Sequence, residues 1–61
     1  MNIIQMLNSL PNTGEIHIFP VTQNSSDYLC EYKDSSLILT YYYDCTVNDW
    51  SFLSAFDLSN L

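Results

Sequence analysis

With 61 residues, the chain is long enough for one small domain, and its 48% hydrophobic and 15% aromatic residues distinguish it from a disordered acidic tail. Seven acidic residues face one basic residue, Lys33, which gives a formal net charge of −6 at pH 7. Because nucleic-acid backbones and anionic membrane surfaces are bound by clusters of Lys and Arg, this charge argues against direct binding of either.

The chain begins with the pattern of a short amphipathic helix. Asn2 is a favourable N-cap residue. Pro11 ends the pattern, and the Asn-Thr-Gly sequence that follows it predicts a turn. The apolar side chains between these two points recur at the spacing of one helical face: Ile3, Met6, Leu7 and Leu10.

Three segments after the turn have the composition of β-strands. Residues 15–19, 27–33 and 37–45 are rich in β-branched and aromatic side chains. The Asp-Ser-Ser sequence between the last two predicts a hairpin turn. With Tyr32 paired to Leu37, one hairpin face carries tyrosines, leucines and cysteines and is the candidate core. The other face is solvated and mixes acidic with apolar residues: Asp27, Leu29, Glu31, Lys33, Ile38, Thr40, Tyr42 and Asp44.

The end of the chain is interpreted as a second helix. Asn48 suits the N-cap position, and Asp49 suits the positive end of a helix dipole. Trp50, Leu53 and Phe56 then recur at intervals of three residues, as on one face of a helix. The predicted fold is a single small α+β domain over residues 1–61. Its N-terminal and C-terminal helices flank a three-stranded antiparallel sheet, in the order α-β-β-β-α.

Residues that could perform catalysis or bind a metal are sparse. His17 is the single histidine, and one glycine, Gly14, cannot build a phosphate-binding loop. In the predicted hairpin, Cys30 and Cys45 lie about 20 Å apart, which is too far for a disulfide. They also lack the four-ligand spacing of a zinc site, and the sequence leaves their redox state open. We therefore expect no enzymatic activity, no cofactor and no metal site.

Acidic side chains and one outward-facing tyrosine form the most informative cluster. Tyr42 is the outward member of a Tyr-Tyr-Tyr run, and exposed tyrosines are frequent in protein interfaces. Complementary charge would guide such a surface into a basic cleft of another protein. The alternative is that the negative charge serves solubility alone. The candidate partner-binding residues are Asp27, Glu31, Asp34, Tyr42 and Asp44.

In size, acidity and predicted element order, the chain resembles the very small acidic inhibitors that phages and other mobile elements make against host nucleases and CRISPR effectors. The resemblance implies an anti-CRISPR or anti-restriction style inhibitor that mimics DNA and occupies the basic cleft of a host nucleic-acid-binding protein. Two alternatives remain. One is an antitoxin or immunity protein that caps a cognate toxin, and the other is a homo-oligomeric scaffold or ligand sponge.

The sequence also supports expectations about the cellular location of the protein and about its self-association. The sequence shows no secretory signal and no membrane-spanning apolar run, so we expect a cytoplasmic protein. Two short helices leave part of a three-stranded sheet and its aromatic residues uncovered, so we also expect a twofold homodimer. The residues expected in that contact are Trp50, Phe52, Leu53 and Phe56.

Overall fold

A four-stranded antiparallel sheet with one short helix on one face forms the protein in a computed structural model that describes residues 1–60. The strand order β1-β2-β3-β4 follows the chain, so each strand pairs with the next one along the sequence. The elements are α1 (Ile3–Asn8), β1 (Glu15–Pro20), β2 (Tyr28–Asp34), β3 (Leu37–Asp44), β4 (Asp49–Asp57) and a 3₁₀ turn (Leu58–Asn60).

The predicted N-terminal helix is confirmed, together with its cap. The Asn2 side chain accepts a hydrogen bond from the backbone N–H of Gln5 (2.8 Å), and the Gln5 side chain accepts one from the N–H of Asn2 (2.9 Å). This reciprocal pair is a capping box, which fixes where α1 begins. Within residues 1–60, no helix has the length and apolar character that crossing a membrane requires.

The core lies between α1 and one face of the sheet, the helix-covered face. Met6, Cys30 and Tyr32 are fully buried there. Because Cys30 pairs with Tyr41 across the strands, both side chains point to this face. The buried cluster consists of Met6, Leu10, Cys30, Tyr32, Tyr41 and Trp50. The opposite side, which we call the open face, carries no buried residue of this cluster.

The predicted C-terminal helix is wrong, because β4 occupies this part of the chain. Trp50 and Phe52, two residues apart, both pair with tyrosines of β3, as alternating strand residues do. A β-bulge then inserts Leu53 without a partner, so that Phe56 lies on the opposite face from Trp50. Because of the inserted residue, Phe52 and Ala55, which are three residues apart, lie on the same face, and β4 lacks a strict period of two. The fold is therefore a four-stranded sheet with one helix, and the predicted α-β-β-β-α order does not occur.

The expected N-cap residue of that helix instead closes a turn. Asn48 has a φ of 54°, a left-handed conformation that asparagine tolerates better than most residues. It is the last residue of the four-residue connection, residues 45–48, between β3 and β4. The polar side chain that makes asparagine a good helix cap also favours turns, so the sequence signal at this position was ambiguous.

The predicted β2–β3 hairpin forms with a different register. Tyr32 pairs with Leu39 rather than Leu37, and the turn contains two residues, of which Ser35 has a φ of 52°. A shift of two residues leaves every side chain on its expected face, because strand side chains alternate with a period of two. The shift moves Cys45 out of the strand into an exposed turn, while Cys30 is buried, and both cysteines are free.

Gly14 lies where the segment between α1 and β1 passes close to β2. A Cβ atom at this position would lie 2.6 Å from the Lys33 carbonyl oxygen and 2.6 Å from the ring of Tyr32. Neither neighbour moves easily, because one is backbone and the other is a fully buried ring. A side chain at residue 14 must therefore displace β2 or the core.

Replacing this glycine should destabilise the protein. We expect Gly14→Ala to lower the free energy of unfolding by about 1–3 kcal/mol, the usual cost of overpacking. Urea unfolding followed by tryptophan fluorescence measures the change. Asn12→Ala, at an exposed position before the same glycine, is the control and should change stability by no more than about 0.5 kcal/mol. Equal effects of the two variants would contradict the close contact at Gly14.

Candidate functional site

The open face presents four rows of side chains that the strand register places side by side. Its members on β1 and β4 are exposed except for Asp49, and those of β2 and β3 are mostly half-buried. Glu15, Lys33, Ile38 and Phe56 form the first row, and His17, Glu31, Thr40 and Ser54 form the second. Phe19, Leu29, Tyr42 and Ser51 form the third, and Asp44 and Asp49 form the fourth.

Most of the negative charge lies on this side of the sheet. Five of the seven carboxylates belong to the open face or its end: Glu15, Asp27, Glu31, Asp44 and Asp49. They are accompanied by Lys33, the one lysine of the chain. Asp34 and Asp57 pair with Leu37 at the opposite end of the sheet and belong to the helix-covered side. The fold thus concentrates carboxylates that are spread along the sequence.

One corner of the open face is organised by hydrogen bonds to two aspartates. Asp27 accepts a hydrogen bond from the Tyr42 hydroxyl (2.7 Å) and another from the backbone N–H of Cys45 (2.9 Å). Asp44 accepts two from Thr46, one from the backbone N–H (2.9 Å) and one from Oγ1 (2.6 Å). Both carboxylates therefore hold the β3–β4 turn, and Asp27 ties that turn to the start of β2.

These contacts shift three pKa values at the corner. The backbone hydrogen bond from Cys45, with smaller contributions from its side chain and from Tyr42, lowers the pKa of Asp27. Donation to Asp27 raises the pKa of Tyr42 to about 12. The hydrogen bond between the Cys45 thiol and Asp27 raises the pKa of that thiol. At neutral pH the corner therefore holds a charged carboxylate, a neutral phenol and a protonated thiol, which is a poor nucleophile.

Among the described residues, those at this corner come closest to forming a metal site. One ligand atom from each of Asp27, Asp44 and Cys45 lies within 4.8 Å of the other two. The two carboxylates already accept hydrogen bonds from the turn, and the raised pKa of Cys45 disfavours the thiolate that a metal ion needs. These contacts show that the two carboxylates anchor the β3–β4 turn.

The structure brings together three of the five sequence-predicted partner-binding residues. Asp27, Tyr42 and Asp44 meet at the corner of the open face. Glu31 lies on the same face near its centre, half-buried between neighbours on β1 and β3. These four residues therefore form one surface.

Asp34, the fifth residue, lies apart from the others. It ends β2 on the helix-covered side, and its carboxylate accepts hydrogen bonds from Thr13 Oγ1 (2.6 Å) and from the Tyr32 hydroxyl (3.1 Å). These bonds connect the loop after α1 to the buried ring of Tyr32. The geometry gives Asp34 a part in holding that loop, away from the open face.

Two carboxylates of the open face are missing from the sequence-predicted set. Asp49 stands directly across from Asp44, and the erroneous helix prediction hid this pairing. Glu15 opens β1 and shares its face with His17 and Phe19. The alternation of side chains within β1 places Glu15 on the same face as His17 and Phe19. The composition does not show which residues of β2 these three pair with.

The residues expected to mediate self-association do not form one patch. Trp50 is buried in the core, with its ring centroid 5.2 Å from that of Tyr43. Phe52, Leu53 and Phe56 are 55%, 58% and 49% exposed. By register, Phe52 belongs to the helix-covered side and Phe56 to the open face, with the bulge at Leu53 between them. What unites the three exposed residues is their position on β4, at the edge of the sheet.

Comparison of the chain with protein-family models, with curated proteins and with solved structures found no match. No relative therefore assigns a role to any of these side chains. Among the described residues, the open face carries the largest number of carboxylates, and they share it with aromatic rings and hydroxyl groups.

The lowered pKa of Asp27 makes a prediction about stability and pH. A carboxyl group whose folded pKa lies below its unfolded value of 3.8 stabilises the fold above that pH, and the contribution is lost as pH falls through the folded pKa. Asp27→Asn should therefore melt below the wild-type temperature at neutral pH, with a difference that shrinks below pH 3.8. Thermal unfolding followed by circular dichroism across this range measures it.

Tyr42→Phe is the matched variant for this experiment. It keeps both contacts from Cys45, which are the larger causes of the shift at Asp27, and removes the smaller one. It should therefore lower the melting temperature less than Asp27→Asn does at neutral pH. A difference between wild type and Asp27→Asn that stays constant down to strongly acidic pH would show that the charge of Asp27 does not stabilise the fold.

Proposed function

We propose that this protein is a small acidic inhibitor that binds another protein through its open face and performs no chemistry itself. Its target is a cytoplasmic nucleic-acid-binding protein or defence nuclease with a basic cleft, which the inhibitor blocks in the manner of DNA-mimicking, mobile-element-encoded inhibitors. The observation that carries this proposal is the concentration of five of the seven carboxylates on the side of the sheet that α1 leaves uncovered.

The arrangement of the open face supports a protein as the partner. An apolar row, with Phe19, Leu29 and Tyr42, crosses three strands. Carboxylates flank this row on both sides, Glu31 on one and Asp44 on the other. Interfaces often combine such a buried apolar centre with a polar rim. Tyr42 suits the centre, because its hydroxyl is already satisfied by Asp27 and its ring can be covered without leaving an unpaired donor.

The charge supports a basic partner in particular. Carboxylates that already accept hydrogen bonds within the protein, as those of Asp27 and Asp44 do, lose less side-chain entropy on binding than mobile surface acids do. Attraction between this face and a basic cleft would speed encounter and would weaken as salt screens it. Binding of the proposed kind is therefore expected to depend on ionic strength and on Glu15 and Glu31, whose side chains do not hold a turn.

Charge reversal on the open face tests the proposal. We expect the double variant Glu15→Lys with Glu31→Lys to lose the proteins that the wild type captures from a lysate of the encoding organism. Capture by the immobilised wild type should also fall by at least about tenfold at high salt, because surface attraction is screened within about 10 Å at 0.1 M. Mass spectrometry identifies the captured protein, and its activity, as nuclease or as toxin, separates an inhibitor from an immunity protein.

The matched control is Asp34→Lys with Asp57→Lys. It changes the net charge by the same amount on the helix-covered side of the sheet. Circular dichroism first establishes that both double variants fold. Retained capture by the control and lost capture by the open-face variant support the proposal. Equal loss in both would show that net charge alone matters, and retention in both would show that the open face is not the interface.

A homodimer is the second candidate, because β4 is an edge strand with three exposed apolar side chains. Its outer edge is engaged at Trp50, whose backbone exchanges hydrogen bonds with Met1 (2.8 and 2.9 Å). A second copy pairing antiparallel about Leu53 would place Asp49 opposite Asp57 of the other copy, since both lie four residues from the centre. Such like-charge pairs oppose association.

The sign of the salt dependence identifies this mode of self-association. Dimerisation through β4 should increase with salt, opposite to the binding of a basic partner, because salt screens the facing carboxylates. Light scattering at about 100 µM protein, a concentration suited to weak interfaces, measures the dimer fraction. Leu53→Lys should abolish the dimer, whereas Ile4→Lys, at an exposed helix position, should not. A monomer at all salt concentrations would rule out a β4 dimer.

A further inference from the structure

The outer edge of β1 carries few of the features that keep a sheet edge from pairing with another strand. Charged side chains and bulges are the usual protections of an edge. All six residues of β1 are exposed, its register with β2 runs without a bulge, and Glu15 is its one acidic residue. β4, the other edge strand, has a bulge at Leu53 and an aspartate at each end. β1 is therefore the more available of the two edges.

The hydrogen-bond pattern shows which backbone groups lie on this edge. Just after β1, the N–H of Val21 donates to the carbonyl oxygen of Asp27 (3.0 Å). Hydrogen-bonded and non-hydrogen-bonded pairs alternate along an antiparallel ladder. The odd-numbered residues of β1 therefore direct their N–H and C=O groups to β2, whereas Ile16 and Ile18 direct theirs outward. Pro20 also faces outward, where its missing N–H costs the sheet no hydrogen bond.

Two isoleucines on this edge belong to the helix-covered side but lie outside the core. Ile16 pairs with Tyr32 and Ile18 pairs with Cys30, so both point to the side that α1 covers. The buried cluster nevertheless contains no residue of β1, and the two isoleucines are 42% and 43% exposed. An apolar strand placed beside β1 would remove both side chains from water.

A second copy of the chain matches this edge. Two β1 strands can pair antiparallel about a twofold axis that passes through the sheet at His17. Ile16 of one copy then stands opposite Ile18 of the other, and each outward N–H of these residues donates to an outward carbonyl oxygen of the same pair. The isoleucines also cover one another on the helix-covered side. A longer strand from another protein would continue past this ladder and leave a carbonyl group opposite Pro20 without a donor.

Charge also favours β1 for contact between two copies that each carry −6. In this register Glu15 stands opposite Phe19 of the other copy. The two Glu15 residues then lie about 13 Å apart along the strands, beyond the screening length of about 8 Å at physiological salt. The two His17 side chains that meet at the axis carry no formal charge at pH 7. No pair of like charges therefore faces across this contact, unlike the aspartates of a β4 dimer.

The β4 edge would not extend such an assembly. Its outward groups at Trp50 are already engaged, because the Trp50 N–H donates to the Met1 carbonyl oxygen (2.8 Å) and the Met1 ammonium donates to the Trp50 carbonyl oxygen (2.9 Å). Pairing through β1 alone closes the assembly at two copies, as a twofold contact requires.

We propose that two copies of the protein pair through their β1 strands, antiparallel about His17, and form a continuous eight-stranded sheet. Because the axis is perpendicular to the sheet, the two open faces lie on the same side and form one acidic surface. Both helices lie on the other side. This dimer does not depend on the proposed inhibitor function, because it needs no other protein.

An engineered cysteine at the axis tests both the pairing and its register. In a Cys45→Ser background, which removes the exposed native thiol, His17→Cys would place two thiols opposite one another. Their Cα atoms would lie about 4.5 Å apart, as in a non-hydrogen-bonded antiparallel pair, and this distance suits a disulfide. Glutathione disulfide should convert most of the protein at about 200 µM into a covalent dimer on a non-reducing gel. Absence of this dimer would overturn the proposal.

Phe19→Cys in the same background is the matched control. It lies on the same strand and face, but its two copies would stand about 13 Å apart, too far for a disulfide. Leu53→Cys reports pairing through the β4 edge and should also stay monomeric. Equal cross-linking of all three variants would indicate random collision, and cross-linking at residue 53 alone would indicate the other edge. Either result would overturn the proposal.

The chain without engineered cysteines provides a second, independent measurement. Sedimentation equilibrium between about 20 µM and 1 mM protein should show monomers and dimers in exchange. Ile18→Pro removes one outward donor from each copy and keeps the β1–β2 ladder, to which this N–H does not donate, so it should weaken dimerisation at least about fivefold. Leu53→Lys should leave the dimer unchanged within about twofold. Circular dichroism establishes that both variants fold.

Two results of this measurement would contradict a β1 dimer. One is a monomer throughout the concentration range. The other is a dimer that Leu53→Lys abolishes and Ile18→Pro leaves intact, which would assign self-association to β4. Neither result bears on the capture of a basic partner by the open face, because the charge-reversal variants test that binding separately.

Discussion

A single six-residue helix has to cover a four-stranded sheet, and most features of the molecule follow from that shortage. Met6 and Leu10 bring enough apolar surface to bury Cys30, Tyr32 and Tyr41 on one side of the sheet. The open face receives no covering element from residues 1–60, so its side chains must remain compatible with water. Rows of carboxylates and hydroxyl groups around a few aromatic and aliphatic residues meet that requirement.

The parts of the fold that follow from local chemistry were predictable. The capping box of Asn2 and Gln5 depends on residues three apart, and the β2–β3 hairpin depends on alternation over adjacent segments. The hairpin prediction had the register wrong by two residues. Since a two-residue shift preserves the faces of a strand, it still assigned Glu31, Tyr42 and Asp44 correctly to the side away from the core.

The parts that depend on long-range pairing were not predictable from the sequence. The bulge at Leu53 interrupts the period of two in β4, and the spacing of Trp50, Leu53 and Phe56 in the sequence matches one face of a helix. With β4 misassigned, the pairing of Asp49 with Asp44 was invisible. Asp34, which the prediction placed in the hairpin turn, instead ends β2 on the helix-covered side, because the observed turn has two residues. The resemblance to small acidic inhibitors is no longer supported by the order of the elements, and it depends on size and charge alone.

The acidic residues divide into two kinds once their contacts are known. Asp27 and Asp44 accept hydrogen bonds that shape the β3–β4 turn, whereas Glu15 and Glu31 lie on strands and contribute to the surface. The lowered pKa of Asp27 keeps that carboxylate ionised at neutral pH, so this corner of the open face stays negative there. A charge that served solubility alone could be placed anywhere on the surface. Here two aspartates that build the turn also concentrate negative charge at one end of the sheet, so the shape and the charge of that end depend on the same residues.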